Sequence, residues 1–274
     1  MLVYWILIPS LLFYKTSTIE ISLGLLGSYA TVILGGLACA TAFGLLSGYL
    51  FKLTPPVASS VLQGCARHNT YIALAVAERV YGAEGLSIAA LATAMLVPVT
   101  NMSLVPIMVW MQQKPSGTSV LKPVMRDLAR NPLIISVLLG FSVNFSGIGE
   151  IPFVHETLRI LSGATLPVVL LSIGANLRLQ SMPSTALPVV LSLLGKMVVF
   201  PLAIVALAVS LVLSGMELYI AVLFGAAPSA PSSYALARQL GGDAPLMAAI
   251  LTIQTAISII TLPVTVQLVQ WALG

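Results

Sequence analysis

The sequence predicts an all-α, polytopic membrane protein of nine transmembrane helices, two of them broken. Three observations carry this. Of its 274 residues, 58% are hydrophobic and only 7% are charged, against roughly 25% charged in a soluble domain. Charges, prolines and glycines divide the chain into nine apolar segments, near residues 1–14, 21–51, 57–80, 84–112, 132–149, 157–177, 185–213, 217–240 and 244–273. A bilayer takes a helix of about 20 such residues. Third, the stretch from Phe224 to Tyr234 interrupts its segment with Pro228, Pro231, three serines and a glycine. Each proline removes a backbone donor and crowds the turn before it. Lipid cannot satisfy the carbonyls left over, so broken backbone at that depth must face protein or a polar cavity.

The first segment is apolar up to Lys15 but has neither the basic start nor the small-residue cleavage site of a signal peptide. The second is rich in glycine (Gly24, Gly27, Gly35, Gly36, Gly44, Gly48), which lets helix backbones approach closely in lipid. Several segments exceed the bilayer thickness, and Pro98, Pro106, Pro188, Pro201 and Pro263 are the expected kink sites. Cys39 and Cys65 both lie in apolar segments and read as small buried packing residues, with no disulfide or metal spacing. No cofactor is expected.

Between Gln112 and Asn131 runs the only long polar connection, carrying Lys114, Lys122, Arg126 and Arg130 against Asp127 alone. Placing it in the cytoplasm puts Lys52, Arg178 and Arg238 on the same side, so seven basic residues lie inside against Lys15, Arg79 and Arg159 outside. That bias sets the orientation, with the C-terminus outside.

An internal repeat follows. The stretch from Val80 through Gly82, Glu84 and Leu86 to Val97-Pro98-Val99-Thr100 is echoed from Leu240 through Gly241, Asp243 and Leu246 to Leu262-Pro263-Val264-Thr265. Ile8-Pro9-Ser10-Leu11-Leu12 is echoed by Leu166-Pro167-Val168-Val169-Leu170. Matching segments are five spans apart, and an odd offset makes the repeats inverted. The chain divides into an N-terminal repeat over 1–112, a cytoplasmic loop over 113–130 and a C-terminal repeat over 131–274. The fifth segment has no mate, so the repeat asks for one more helix before residue 1, and the sequence reads as a 4+5 arrangement lacking its first helix.

By the repeat, the third segment should break too, within the polar run Gln63-Gly64-Cys65-Ala66-Arg67-His68-Asn69-Thr70. Ionisable residues at membrane depth cost about 2.5–3.5 kcal/mol each on insertion scales and point to a substrate path. Arg67 and Lys196 are the two here. No acidic residue lies deep in any segment, while two cations and the positive ends of two half-helices favour an anion. The expected site comprises Arg67, His68, Asn69, Thr70, Lys196, Pro228, Ser229, Pro231, Ser232 and Ser233. His68 reads first as a hydrogen-bonded histidine without a coupling role, and second as a group that could link transport to protons.

Asn69-Thr70, the Gly82-to-Leu86 stretch, Asn131-Pro132-Leu133-Ile134, the run from Leu166-Pro167 to Gly174-Ala175 and Ala237-Arg238-Gln239-Leu240-Gly241-Gly242-Asp243 together resemble the auxin efflux carrier family. The likeness covers nearly the whole chain. It implies ten helices in two inverted halves, with the fourth and ninth broken and crossing, which are the third and eighth segments here. It also implies carboxylate substrates (auxin in plant members; malonate, malate and similar acids in bacterial ones), a homodimer and a bacterial inner membrane. One departure is that Leu74 or Ala75 stands where the family's first crossover proline falls, so the first break would rest on Gly64 and polar residues.

The expected function is a secondary carrier, a permease for small organic anions, with protons or sodium as the possible coupling ion and no nucleic-acid partner. Its first and sixth segments, with the second and seventh, would form the scaffold. Nothing resembles a catalytic dyad, so an enzyme is not expected. The alternatives are a channel or sensor of the same fold, or an inactive carrier fragment.

Overall fold

The computed structural model describes residues 2–19, 23–112, 126, 129–176 and 186–273. The expectations for Lys114, Lys122, Asp127 and Arg178 lie outside the described residues. Among those described, the chain is helical with no strand. The helices are α1 Ile8–Thr18, α2 Leu23–Leu50, α3 Pro55–Ala66, α4 Thr70–Met111, α5 Pro132–Ser146, α6 Val154–Asn176, α7 Leu187–Leu194, α8 Phe200–Ser210, α9 Gly215–Ala226, α10 Ser232–Leu240 and α11 Ala244–Leu273. Four helical stretches among the described residues are long and apolar enough to cross a membrane by length and composition: Gly27–Leu50, Pro55–Met111, Leu187–Ser210 and Ala244–Ala272. Large apolar side chains such as Leu171, Ile259 and Trp271 are exposed on the outer faces, as suits helices that are apolar all round.

Prolines act less as kinks than as punctuation. Pro188 opens α7, Pro132 opens α5, and Pro98, Pro106 and Pro263 are carried inside their helices. The wide π-helical turns Val3–Leu7 and Gly195–Val199 each end two residues before a proline, Pro9 and Pro201. A proline has no N–H for the carbonyl four residues back and its ring crowds that carbonyl, so a wider turn relieves both defects. The sharp bend in α4 is at Gly82, whose φ of 65° and ψ of −151° separate arms 70–81 and 83–111. Gly241, with φ of 85°, ends α10 in the same left-handed range.

The glycines of α2 do allow close packing. A Cβ at Gly36 would meet Ile204, and one at Gly44 would lie 3.0 Å from the Leu62 backbone. Cys65 is buried as expected, whereas Cys39 is exposed, a correction that follows from its place on the outer face of α2.

Helix contacts correct the expected scaffold. The first segment, α1, packs on α5 and α6 rather than on the second and seventh. Asn144 donates to the Ser17 and Ile19 carbonyls at 3.0 and 2.9 Å, and the Thr165 hydroxyl donates to the Leu7 carbonyl at 2.9 Å. His155, buried, joins the same group: its Nδ1 accepts from the Ile151 amide at 2.9 Å and its Nε2 meets the Ser17 hydroxyl at 3.1 Å. By contrast α2 packs on α3 and α8, and α9 on α4, α8 and α11. The second and seventh segments therefore pack with the broken helices: Gly44 and Gly195 bring them against Leu62 and Cys65 of α3, while Gly36 brings the second segment against Ile204 of the seventh.

Candidate functional site

Two segments lose their helical path at the same place. In the first, α3 ends at Ala66 and Arg67 turns extended (φ −72°, ψ 148°). Asn69 then opens α4, its Oδ1 accepting from the Tyr71 and Ile72 amides at 3.1 and 3.3 Å, as an N-cap does. In the second, α9 ends at Ala226 and Ala227 is extended (φ −61°, ψ 137°), the conformation a residue before proline prefers. Pro231 then opens α10.

The breaks touch. The Asn69 amide donates to the Pro228 carbonyl at 2.7 Å, and the Ser229 hydroxyl donates to the Gly64 carbonyl at 3.1 Å. Gly64 is needed for approach rather than for the break itself: a Cβ there would lie 2.7 Å from the Ser192 hydroxyl and 3.0 Å from Ile250.

Beside the crossing lies a cavity of about 840 Å³ lined by Arg67, His68, Asn69, Thr70, Pro231 and Ser232 from the two breaks. Its opposite wall includes Tyr4, Trp5, Arg130, Asn131 and Leu133, so it lies where the α1–α5 group faces the crossing. Among the described residues the lining holds no carboxylate. Arg67 is 6% exposed. Its Nη2 donates to Asn101 Oδ1 at 3.1 Å and to the Ser232 hydroxyl at 3.3 Å, while Nε and Nη1 are without a protein partner. The positive N-terminal ends of α4 and α10 come to the same place.

Four of the expected residues do not line this cavity: Lys196, Pro228, Ser229 and Ser233. Pro228 and Ser229 join the two breaks, and Ser233 is buried in α10 with an unpaired hydroxyl. Lys196 is fully buried, its ammonium 4.3 Å from the centre of the Phe200 ring and 3.5 Å from the Phe224 carbonyl, to which it donates. In a continuous helix that carbonyl would take the amide of residue 228, which is proline. Lys196 thus supplies the donor that Pro228 lacks. His68 lies against Phe224, ring centres 5.8 Å apart.

Two polar residues that complete the crossing were not singled out from sequence. Asn101 orients Arg67, and Gln254 bonds to backbone of α3, α7 and the second break. Their signal was present, a lone amide within an apolar span, but only the fold says which face it occupies.

Long apolar helices enclosing two touching helix breaks, beside a cavity into which Arg67 opens, suit a membrane transporter. A family model described as membrane transport protein, that of the auxin efflux carriers, matches residues 1–266, and the chain belongs to this family. It is also similar to an uncharacterized transporter of Methanocaldococcus jannaschii, 24% identical over 144 residues, which are 52% of this chain and 47% of that protein. The match thus spans about half the length of that relative.

Proposed function

We propose that the chain is a secondary carrier that moves small carboxylates, malonate, malate or auxin-like acids among them, across a bacterial inner membrane by alternating access. One observation carries this: the partly unsatisfied Arg67 guanidinium lines a cavity of about 840 Å³ with no carboxylate among its described lining residues. A guanidinium fork matches a carboxylate in geometry and charge. Asn69, Thr70 and Ser232 offer polar side chains beside it, and His68 stands where a coupling proton could be held.

The architecture proposed is nine spans in two inverted repeats, 1–112 and 131–274, with the 113–130 loop cytoplasmic, the C-terminus outside and a homodimer as the assembly. The paired breaks at 67–69 and 227–231, each followed by a glycine of positive φ (Gly82, Gly241), support the repeat. The helices α1, α5 and α6 would form the fixed part, and the crossing with α2, α7, α8 and α11 the moving one, with the cavity between them. Purified protein in proteoliposomes should take up radiolabelled malonate or malate saturably and show counterflow. Flux that does not saturate, or none for any carboxylate, would refute the reading.

A further inference from the structure

We propose that Gln254 is a positioning residue that holds the two helix breaks in register and thereby sets the geometry of the cavity. This rests on reading the crossing as the substrate centre. The side chain is fully buried within the apolar α11. Its Oε1 accepts from the Ser229 amide at 2.9 Å, and its Nε2 donates to the Gly64 carbonyl at 2.9 Å and to the Ser192 carbonyl at 3.2 Å. The first two, at Ser229 and Gly64, are backbone groups that helix continuity would otherwise occupy. The Gly64 carbonyl faces where the amide of residue 68 would come if α3 ran on, and the Ser229 amide would have met the carbonyl of residue 225. The Ser192 carbonyl stands at the entry to the π-helical turn Gly195–Val199, where the ladder changes register.

One carboxamide therefore serves both breaks and α7 at once, using its acceptor and both donors. Without it the Ser229 amide would lose its partner, which is strongly unfavourable for a buried N–H, while the Gly64 carbonyl would keep the Ser229 hydroxyl and the Ser192 carbonyl the Gly195 amide. Gln254 does not line the cavity. It acts through Ser229 and Gly64, two and three residues from Pro231 and Arg67, which do.

Gln254→Met is the discriminating variant, because it keeps the length and volume of the side chain and removes only its polar groups. Amide hydrogen exchange is read in nanodiscs alongside malonate uptake in proteoliposomes. The expected result is faster exchange at residues 67–70 and 227–232 together, unchanged protection along α11, and a KM for malonate raised by about tenfold, the scale of one to two lost hydrogen bonds. Unchanged exchange at either break, a change confined to α11, or a wild-type KM would overturn the proposal. If the wild-type protein takes up no carboxylate, the substrate reading fails, and the exchange pattern alone decides the role of Gln254. Should Gln254→Met not insert, Gln254→Asn, whose amide is one methylene too short, is expected to give the same exchange pattern, and normal exchange there would equally overturn it.

Discussion

The amide of Asn69 donates to the carbonyl of Pro228 across 2.7 Å, joining the two helix breaks backbone to backbone. Because the main chain makes that bond, the Asn69 side chain is left for two other tasks. Its oxygen caps α4, and the residue lines the cavity beside Arg67. The crossing is thus held by groups that no side-chain substitution removes, with side chains added for the ends that remain open.

Substituting Asn69 should separate the two tasks. Asn69→Ala loses the cap and is expected to lower stability by about 0.5–2 kcal/mol, together with uptake. Asn69→Asp keeps an acceptor for the Tyr71 and Ile72 amides but brings a negative charge to the site proposed for an anion. Its melting temperature should stay near wild type while carboxylate uptake collapses. Retained uptake in Asn69→Asp would argue against an anionic substrate.

Arg67 is the expected contact to the substrate. Arg67→Gln should raise KM for carboxylate about tenfold or more, since hydrogen bonds to charged groups contribute about 1.5–3 kcal/mol. Arg67→Lys keeps the charge but not the planar fork, and should fall between the two in the same uptake assay.

Lys196 should behave differently. Lys196→Met leaves the Phe224 carbonyl open, a penalty of about 1–3 kcal/mol, but also relieves the burial of an ammonium. These effects oppose, so the melting temperature should move little. Since Lys196 does not line the cavity, KM should stay within about threefold of wild type, a span of under 1 kcal/mol. A rise as large as that of Arg67→Gln would place the ammonium on the substrate instead.

Gly64→Ala should destabilise by about 1–3 kcal/mol through overpacking, because the added carbon meets the Ser192 side chain at 2.7 and 2.8 Å. Gly64→Ala combined with Ser192→Gly removes the two closest atoms it strikes, leaving the Ile250 contact at 3.0 Å, and should recover part of the loss in a thermal melt.

Much of the crossing was legible in the chain itself. Pro228 and Pro231 forbid a continuous helix wherever they are placed, and the polar run from Gln63 to Thr70 marks the second interruption. Gly82 and Gly241, paired in the proposed repeat, both take a positive φ. The roles of Lys196 and Gln254 were not legible. A lysine deep in an apolar span reads as a substrate contact before it reads as a structural hydrogen bond, and a lone glutamine gives no direction at all.

The sequence by itself determined that the chain lives in lipid, that two of its spans must break, and that the groups near the breaks are cationic rather than acidic. Those properties follow from composition and from the covalent limits of proline, which hold in any fold. Only the tertiary structure decided which partners close the broken ends, that α2 and α8 pack with the crossing while α1 packs with α5 and α6, and that Arg67 rather than Lys196 lines the cavity. Each of these depends on which helix faces lie against one another, and in helices apolar all round no periodicity records that choice.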